Sequence, residues 1–143
     1  VEGVADWSGG DAGLGGALFA ARACSTCHDG GNSIGPDLKG VGRRLSPKDL
    51  FRAIALPNLD VAPPYRVSQF SLANGSLVEG MAVFFSADGW MVRIADGTTV
   101  RLDSAEVVEV VHSAKSLMPQ GLLDGLDEKD LRNLAAWLQS GGD

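Results

Sequence analysis

Cys24-Ser25-Thr26-Cys27-His28 holds both cysteines of the 143-residue chain and one of its two histidines. Two thiols separated by two residues on a short helical turn can add to the two vinyl groups along one edge of a porphyrin. The imidazole that follows then reaches the metal as a proximal ligand. Covalent haem attachment through Cys24 and Cys27, with His28 on the iron, is the chemistry this spacing favours. Other chemistries also use a Cys-x-x-Cys. A structural zinc site wants four ligands; only His112 remains outside the pentapeptide, and adjacent Cys27 and His28 strain a tetrahedral arrangement. A thioredoxin-type redox pair sits at the end of a strand in a βαβ unit, and no such pattern precedes Cys24. A disulfide across two residues closes too short a loop to stabilise much.

An iron held by His28 has a second axial position. Met118 is the best candidate for it, because it lies in a loop before the last helical segment and Pro119 stiffens the chain behind it. Met81 and Met91 fall on strand-like runs, where methionine serves as a gap-filler. His112 is the rival ligand. A thioether stabilises ferric iron less than imidazole does, so His/Met ligation raises the potential and leaves no position for oxygen or peroxide. An open or exchangeable distal site is the alternative, and it would make the chain a haem enzyme or a gas-sensing module. No acid–base pair or nucleophile accompanies the pentapeptide, and the carboxylates are scattered as solvated charges. The residues therefore read as a carrier of single electrons, or the carrier domain of a larger redox enzyme, and not as a catalyst.

Elements of two kinds must position these groups. A helical period starts at Asp11, with Leu14, Leu18 and Ala21 as its apolar steps and Phe19 beside them, and runs into Cys24. Gly15 and Gly16 are poor helix formers, which suggests close approach by another helix. Residues 29–45 are rich in turn formers. Ser46 is an N-cap, Pro47 suits the first helical position, Asp49 sits where a capping box needs it, and Leu50, Phe51 and Ile54 form an apolar side that ends at Pro57. Pro57–Pro64 reads as an extended linker. From Tyr65 to Val111 the period alternates: Val67–Leu72, Leu77–Phe85, Trp90–Ile94, Thr98–Leu102 and Glu106–Val111 are strand candidates. Asn74-Gly75, Asp88-Gly89 and Asp96-Gly97 mark hairpin turns, giving a β-meander of four or five strands. Its apolar Phe84, Phe85 and Trp90 would cover the haem core as a flap or meet a partner. Asp127 with Asp130 opens a last helix whose stripe is Leu131, Leu134, Ala135 and Leu138, with Trp137 beside it, and Gly141-Gly142 closes it.

Hydrophobic residues make up 45% and charged residues 21%, enough for one folded domain. The net charge of −6 argues against nucleic acid and anionic membrane surfaces and asks for a partner that is neutral or basic where it touches. No apolar run is long enough to span a bilayer. The chain begins at Val1 rather than Met, as in a processed protein or a domain of a longer polypeptide.

Beyond the pentapeptide, Gly35-Pro36-Asp37-Leu38 and Gly40-Val41-Gly42-Arg43 resemble the proximal loop of the c-type cytochromes. The resemblance implies that the Pro36 carbonyl accepts the His28 Nδ1–H, fixing tautomer and ring plane, and that Arg43 reaches a haem propionate. It also implies that the first and last helices cross at Gly15 or Gly16, Phe19 and Trp137. More narrowly, the stretch from Gly15 to Leu138 resembles the planctomycete-type haem-binding cytochrome c domain, in which a β insertion precedes the distal ligand. The ligand loop of that type is similar to Ser116-Leu117-Met118-Pro119-Gln120-Gly121-Leu122-Leu123. By this resemblance the chain should adopt a mainly α cytochrome c fold with amino- and carboxy-terminal helices around a haem and an inserted antiparallel β-meander, α+β overall. The single domain 1–143 would then comprise a haem-attachment half (11–64), the β insertion (65–111), and the distal ligand loop with the terminal helix (112–143). The resemblance further implies one covalent haem c, a redox partner protein as donor and acceptor, and an exported, periplasmic location in a bacterium.

Overall fold

The computed structural model describes residues 3–28 and 34–141, and the chain folds as two compact units. One comprises residues up to Leu56 together with those from Pro119 onward; the other is Pro57–Met118. The glycine-rich 30–32 part of the expected turn region, and Gly142, lie outside the described residues.

The first unit is helical. Asp11 caps α1 (Ala12–Ala21) by accepting the Leu14 amide at 3.0 Å. Instead of running into Cys24, this helix stops at Arg22, and Ala23 takes a left-handed φ of 62° before α2 (Cys24–His28) begins. Two short helices come next, α3 (Val41–Arg44) and α4 (Pro47–Ala55). Ser46 accepts the Asp49 amide at 3.2 Å, and its hydroxyl donates to the Asp49 carboxylate at 2.7 Å, so the aspartate returns its bond to the cap's side chain rather than to its backbone. The last helix, α5 (Glu128–Gln139), has the full Asp127–Asp130 capping box. Its apolar stripe meets Val41, Leu50 and Phe51 in one core, where Phe51 is wholly buried and stacks on Trp7 at 4.6 Å.

Against α5, α1 presents its glycines and not the expected leucine stripe. A Cβ on Gly15 would collide with the Asn133 carbonyl, and one on Gly16 would lie 2.9 Å from the Trp137 ring. Leu14 is 53% exposed, and Ala21 is exposed as well. The reason is distance: two helices this close leave room for hydrogen atoms only, so the face with the least side chain is the face that is buried. Phe19 meets Trp137 at 6.1 Å, and buried Asn133 accepts the Asp11 amide at 2.8 Å.

The second unit is a five-stranded antiparallel sheet: β1 (Arg66–Leu72), β2 (Leu77–Ser86), β3 (Gly89–Arg93), β4 (Thr99–Asp103) and β5 (Val107–Ser116). A single 3-10 turn, Pro63–Tyr65, leads into it. The Asx-type turns fall where the Asn-Gly and Asp-Gly pairs stand: Asn74 accepts the Ser76 amide at 2.9 Å and Asp96 that of Thr98 at 2.8 Å. Two expectations about the sheet need correction. It is not a plain meander, because the order is β4-β3-β2-β1-β5 and the last strand pairs with the first. In a flat sheet, four strand spacings of about 4.8 Å would separate β4 from β5, roughly 19 Å. The turn Ser104–Glu106 offers four Cα steps, at most about 14 Å. The sheet therefore curls, and Phe70, Val92 and Leu102 fill its inside. Secondly, β5 does not end at Val111. Its polar continuation stays in the ladder, with His112 opposite Ser68, Ser116 opposite Arg66, and the Ser113 hydroxyl donating to the Val67 carbonyl at 2.7 Å.

Candidate haem-attachment site

The break at Ala23 decides how the pentapeptide is presented. An L-residue at positive φ costs about 1 kcal/mol or more, and here it ends α1 and lets a fresh turn start at the first cysteine. Both cysteines are half-buried thiols. Burial pushes the Cys24 thiol above its ordinary value. The pentapeptide follows a helix and not the strand that precedes a thioredoxin-type pair. Among the described residues no group of three or more His, Cys, Asp or Glu is placed to hold a metal ion.

The structure brings His28 and Pro36 together. The Pro36 carbonyl lies 2.9 Å from His28 Nδ1. A carbonyl only accepts, so Nδ1 carries a proton, and the neutral form of this ring has its lone pair on Nε2, the state a metal ligand requires. Gly35 makes this possible. A Cβ there would sit 2.7 Å from His28 Cε1, 2.8 Å from Nδ1 and 3.0 Å from Nε2. The loop is itself pinned, since the Gly35 amide donates to the Cys27 carbonyl at 3.0 Å and Ile34 beside it is buried. Further along, Asp37 accepts the Lys39 amide at 2.9 Å, and Arg44 donates to the carbonyls of Lys39 at 2.9 Å and Asp37 at 3.4 Å. Arg44 thus braces the proximal loop. Arg43 stands exposed on α3 and lines, with Lys39, Arg44, Gln139 and Ser140, a cleft of about 400 Å³.

The two candidate distal ligands belong to the sheet unit. Met118 is its last residue, half-buried, with its amide donating to Ser116 Oγ at 3.0 Å. His112 is exposed on β5, with Nδ1 2.8 Å from the Ser68 hydroxyl. Of the expected site residues, Cys24, Cys27, His28, Pro36 and Arg43 share the helical unit. Sequence reasoning missed Gly35, Ala23, Arg44 and Arg22. Of these only Gly35 carried a signal, as the glycine of a Gly-Pro step a short way after the pentapeptide's histidine.

Haem c fits these residues. The donor set is two thiols followed by an imidazole whose Nε2 is available, and the glycine cradle under the ring has no other evident purpose. Among curated proteins none matches the chain. Residues 10–73, somewhat less than half of it, match the family model described as cytochrome c oxidase, cbb3-type, subunit III. That segment contains the pentapeptide, the glycine-proline cradle and the helices beside them, and the match supports a c-type cytochrome.

Proposed function

We propose that this chain is a mono-haem c-type cytochrome that passes single electrons between redox partner proteins. The supporting observation is the His28–Pro36 bond over the Gly35 cradle, which fixes the imidazole with Nε2 available to a metal. Cys24 and Cys27 would hold the porphyrin through thioether bonds, and His28 and Met118 would ligate its iron. When bound, the haem supplies a one-electron couple at its iron. The chain's own contribution is to keep that couple simple. The Pro36 carbonyl raises the basicity of His28 and stops the ring from turning. A Met118 thioether bound to the iron would favour the reduced state and leave no vacancy for a small ligand. Two fixed ligands also keep structural change on oxidation small. Arg43, in a cleft that Lys39 and Arg44 also line, would neutralise a propionate.

Covalent haem is installed outside the cytoplasm in bacteria, so the protein or domain works after export, in the periplasm. No described helix is long and apolar enough to cross a membrane. Its role is to carry charge and not to catalyse a reaction of its own, and the acidic surface favours a partner that is neutral or basic at the contact. On the sheet unit a partner would meet Phe84 and Phe85, 60% and 66% exposed, rather than Trp90, which is half-buried against Phe70 at 5.5 Å and Phe85 at 5.3 Å.

The test is the mass and the optical spectrum of matured protein in both oxidation states. One haem per chain, a thioether charge-transfer band in the ferric form and no carbon monoxide binding to the ferrous form are expected. Met118→Ala should abolish the band and His112→Ala should not. A colourless protein with the mass of the bare polypeptide would overturn the reading, and carbon monoxide binding by the wild type would replace the carrier with a gas-binding module.

A further inference from the structure

Arg22 stands at the C-cap of α1, two residues before Cys24, and is half-buried. A cation at that position is favoured by the negative end of its own helix, yet its side chain reaches elsewhere. Its Nη1 donates to the carbonyl oxygen of Asp124 at 2.6 Å and to that of Leu122 at 3.3 Å. Both carbonyls lie in the segment just after Pro119. That segment has two glycines at positive φ, Gly121 at 83° and Gly125 at 79°, where the backbone turns most freely. Its internal backbone bonds are those from Asp124 to Gly121 and from Leu126 to Leu123, and Leu123 and Leu126 rest on the helical core. The guanidinium is the polar link, formed across about a hundred residues of sequence, between this loop and the helix that leads into the pentapeptide. Hydrogen bonds from a charged donor are roughly twice as strong as neutral ones.

We propose that Arg22 is a positioning residue for the distal ligand. By holding Leu122 and Asp124 against the end of α1, it would tether the segment that follows Met118 in the chain. The inference rests on the His28/Met118 reading above. The chain makes the coupling short: only Pro119, Gln120 and Gly121 separate Met118 from Leu122, so the two Cα atoms stay within about 14 Å. Proline removes one of the soft dihedrals in that stretch.

The experiment uses the matured, haem-loaded protein and its Arg22→Ala and Arg22→Lys variants. In Arg22→Ala, the thioether charge-transfer band should fall to less than half of the wild-type intensity. Carbon monoxide should associate with the ferrous form at least tenfold faster. Arg22→Lys, which can make one of the two bonds, should lie between. A merely structural arginine would move the urea midpoint and leave the ferric band alone. A band and a carbon monoxide rate within twofold of wild type in both variants would therefore overturn the inference. A wild type that lacks the band would fail earlier and differently, since that result overturns the Met118 ligation itself.

Discussion

Gly35→Ala is the sharpest perturbation of the proximal side. The added carbon would stand 2.7–3.0 Å from three atoms of the His28 ring, whereas unstrained carbon contacts begin near 3.5 Å. Something must therefore move by about 0.5–0.8 Å. Neither side yields freely. If the imidazole retreats, it lengthens the 2.9 Å bond to the Pro36 carbonyl; if the loop retreats, it breaks the Gly35–Cys27 backbone bond of 3.0 Å. Overpacking costs about 1–3 kcal/mol and the lost hydrogen bond about 1 kcal/mol. The sum is about 2–4 kcal/mol, or a shift in the unfolding constant of roughly 30-fold to 1,000-fold. Urea unfolding of matured protein measures it, with Gly3→Ala as the control, because nothing lies within 4 Å of a Cβ at Gly3. The ferric spectrum should change in parallel, since a displaced imidazole alters the ligand field. A Gly35→Ala protein within about 0.5 kcal/mol of wild type, with an unchanged spectrum, would refute the reasoning that the glycine exists to seat the histidine.

Ala23→Gly should stabilise the protein. The left-handed φ penalises alanine by about 1–2 kcal/mol, and glycine's looser unfolded chain takes back about 0.4–1 kcal/mol, so a higher melting temperature is expected and a lower one would argue against strain at this position. Asp96 is held below its ordinary pKa of 3.8 by the Thr98 hydroxyl and then by the Thr98 amide. A depressed carboxylate adds stability above pH 3.8 and loses it as pH falls through its lower folded value. Thr98→Val should move the Asp96 titration, monitored by NMR, back toward 3.8 without reaching it, because the amide bond remains; an unmoved titration would show that the hydroxyl plays no part.

Much of the layout was legible because local chemistry and global fold agree. Ser46, Pro47 and Asp127 mark helix starts by satisfying amides within one turn, and Asn74, Asp96 and their glycines mark turns in the same local way. The apolar stripe of α5 repeats at the helical period because one flat core lies beneath it. Long-range geometry was where pattern reading went astray. Leu14 and Ala21 looked like a buried stripe, but only an approaching helix could reveal that α1 must bury its glycines. The β-branched run stops at Val111, so pattern alone ends the strand there, whereas ladder bonds to β1 carry it on to Ser116. Nothing in Gly-Val-Gly-Arg-Arg tells which arginine braces the loop, and it is Arg44 whose reach matches the carbonyls of Lys39 and Asp37. Arg22 was silent for the same reason, its acceptors being main-chain atoms far along the sequence.

The pairing of the last strand with the first also bears on what the sheet unit can tolerate. Arg66 and Ser116 are ladder partners, and the Ser116 amide is held by Asn58 Oδ1 at 2.8 Å, so the chain leaves the sheet beside where it came in. A floppy segment of that length would add about 0.6 kcal/mol of closure entropy for each doubling. Stapled at its base, Pro57–Met118 is a cassette whose interior strands and turns can lengthen, shorten or change surface without moving its own two ends apart.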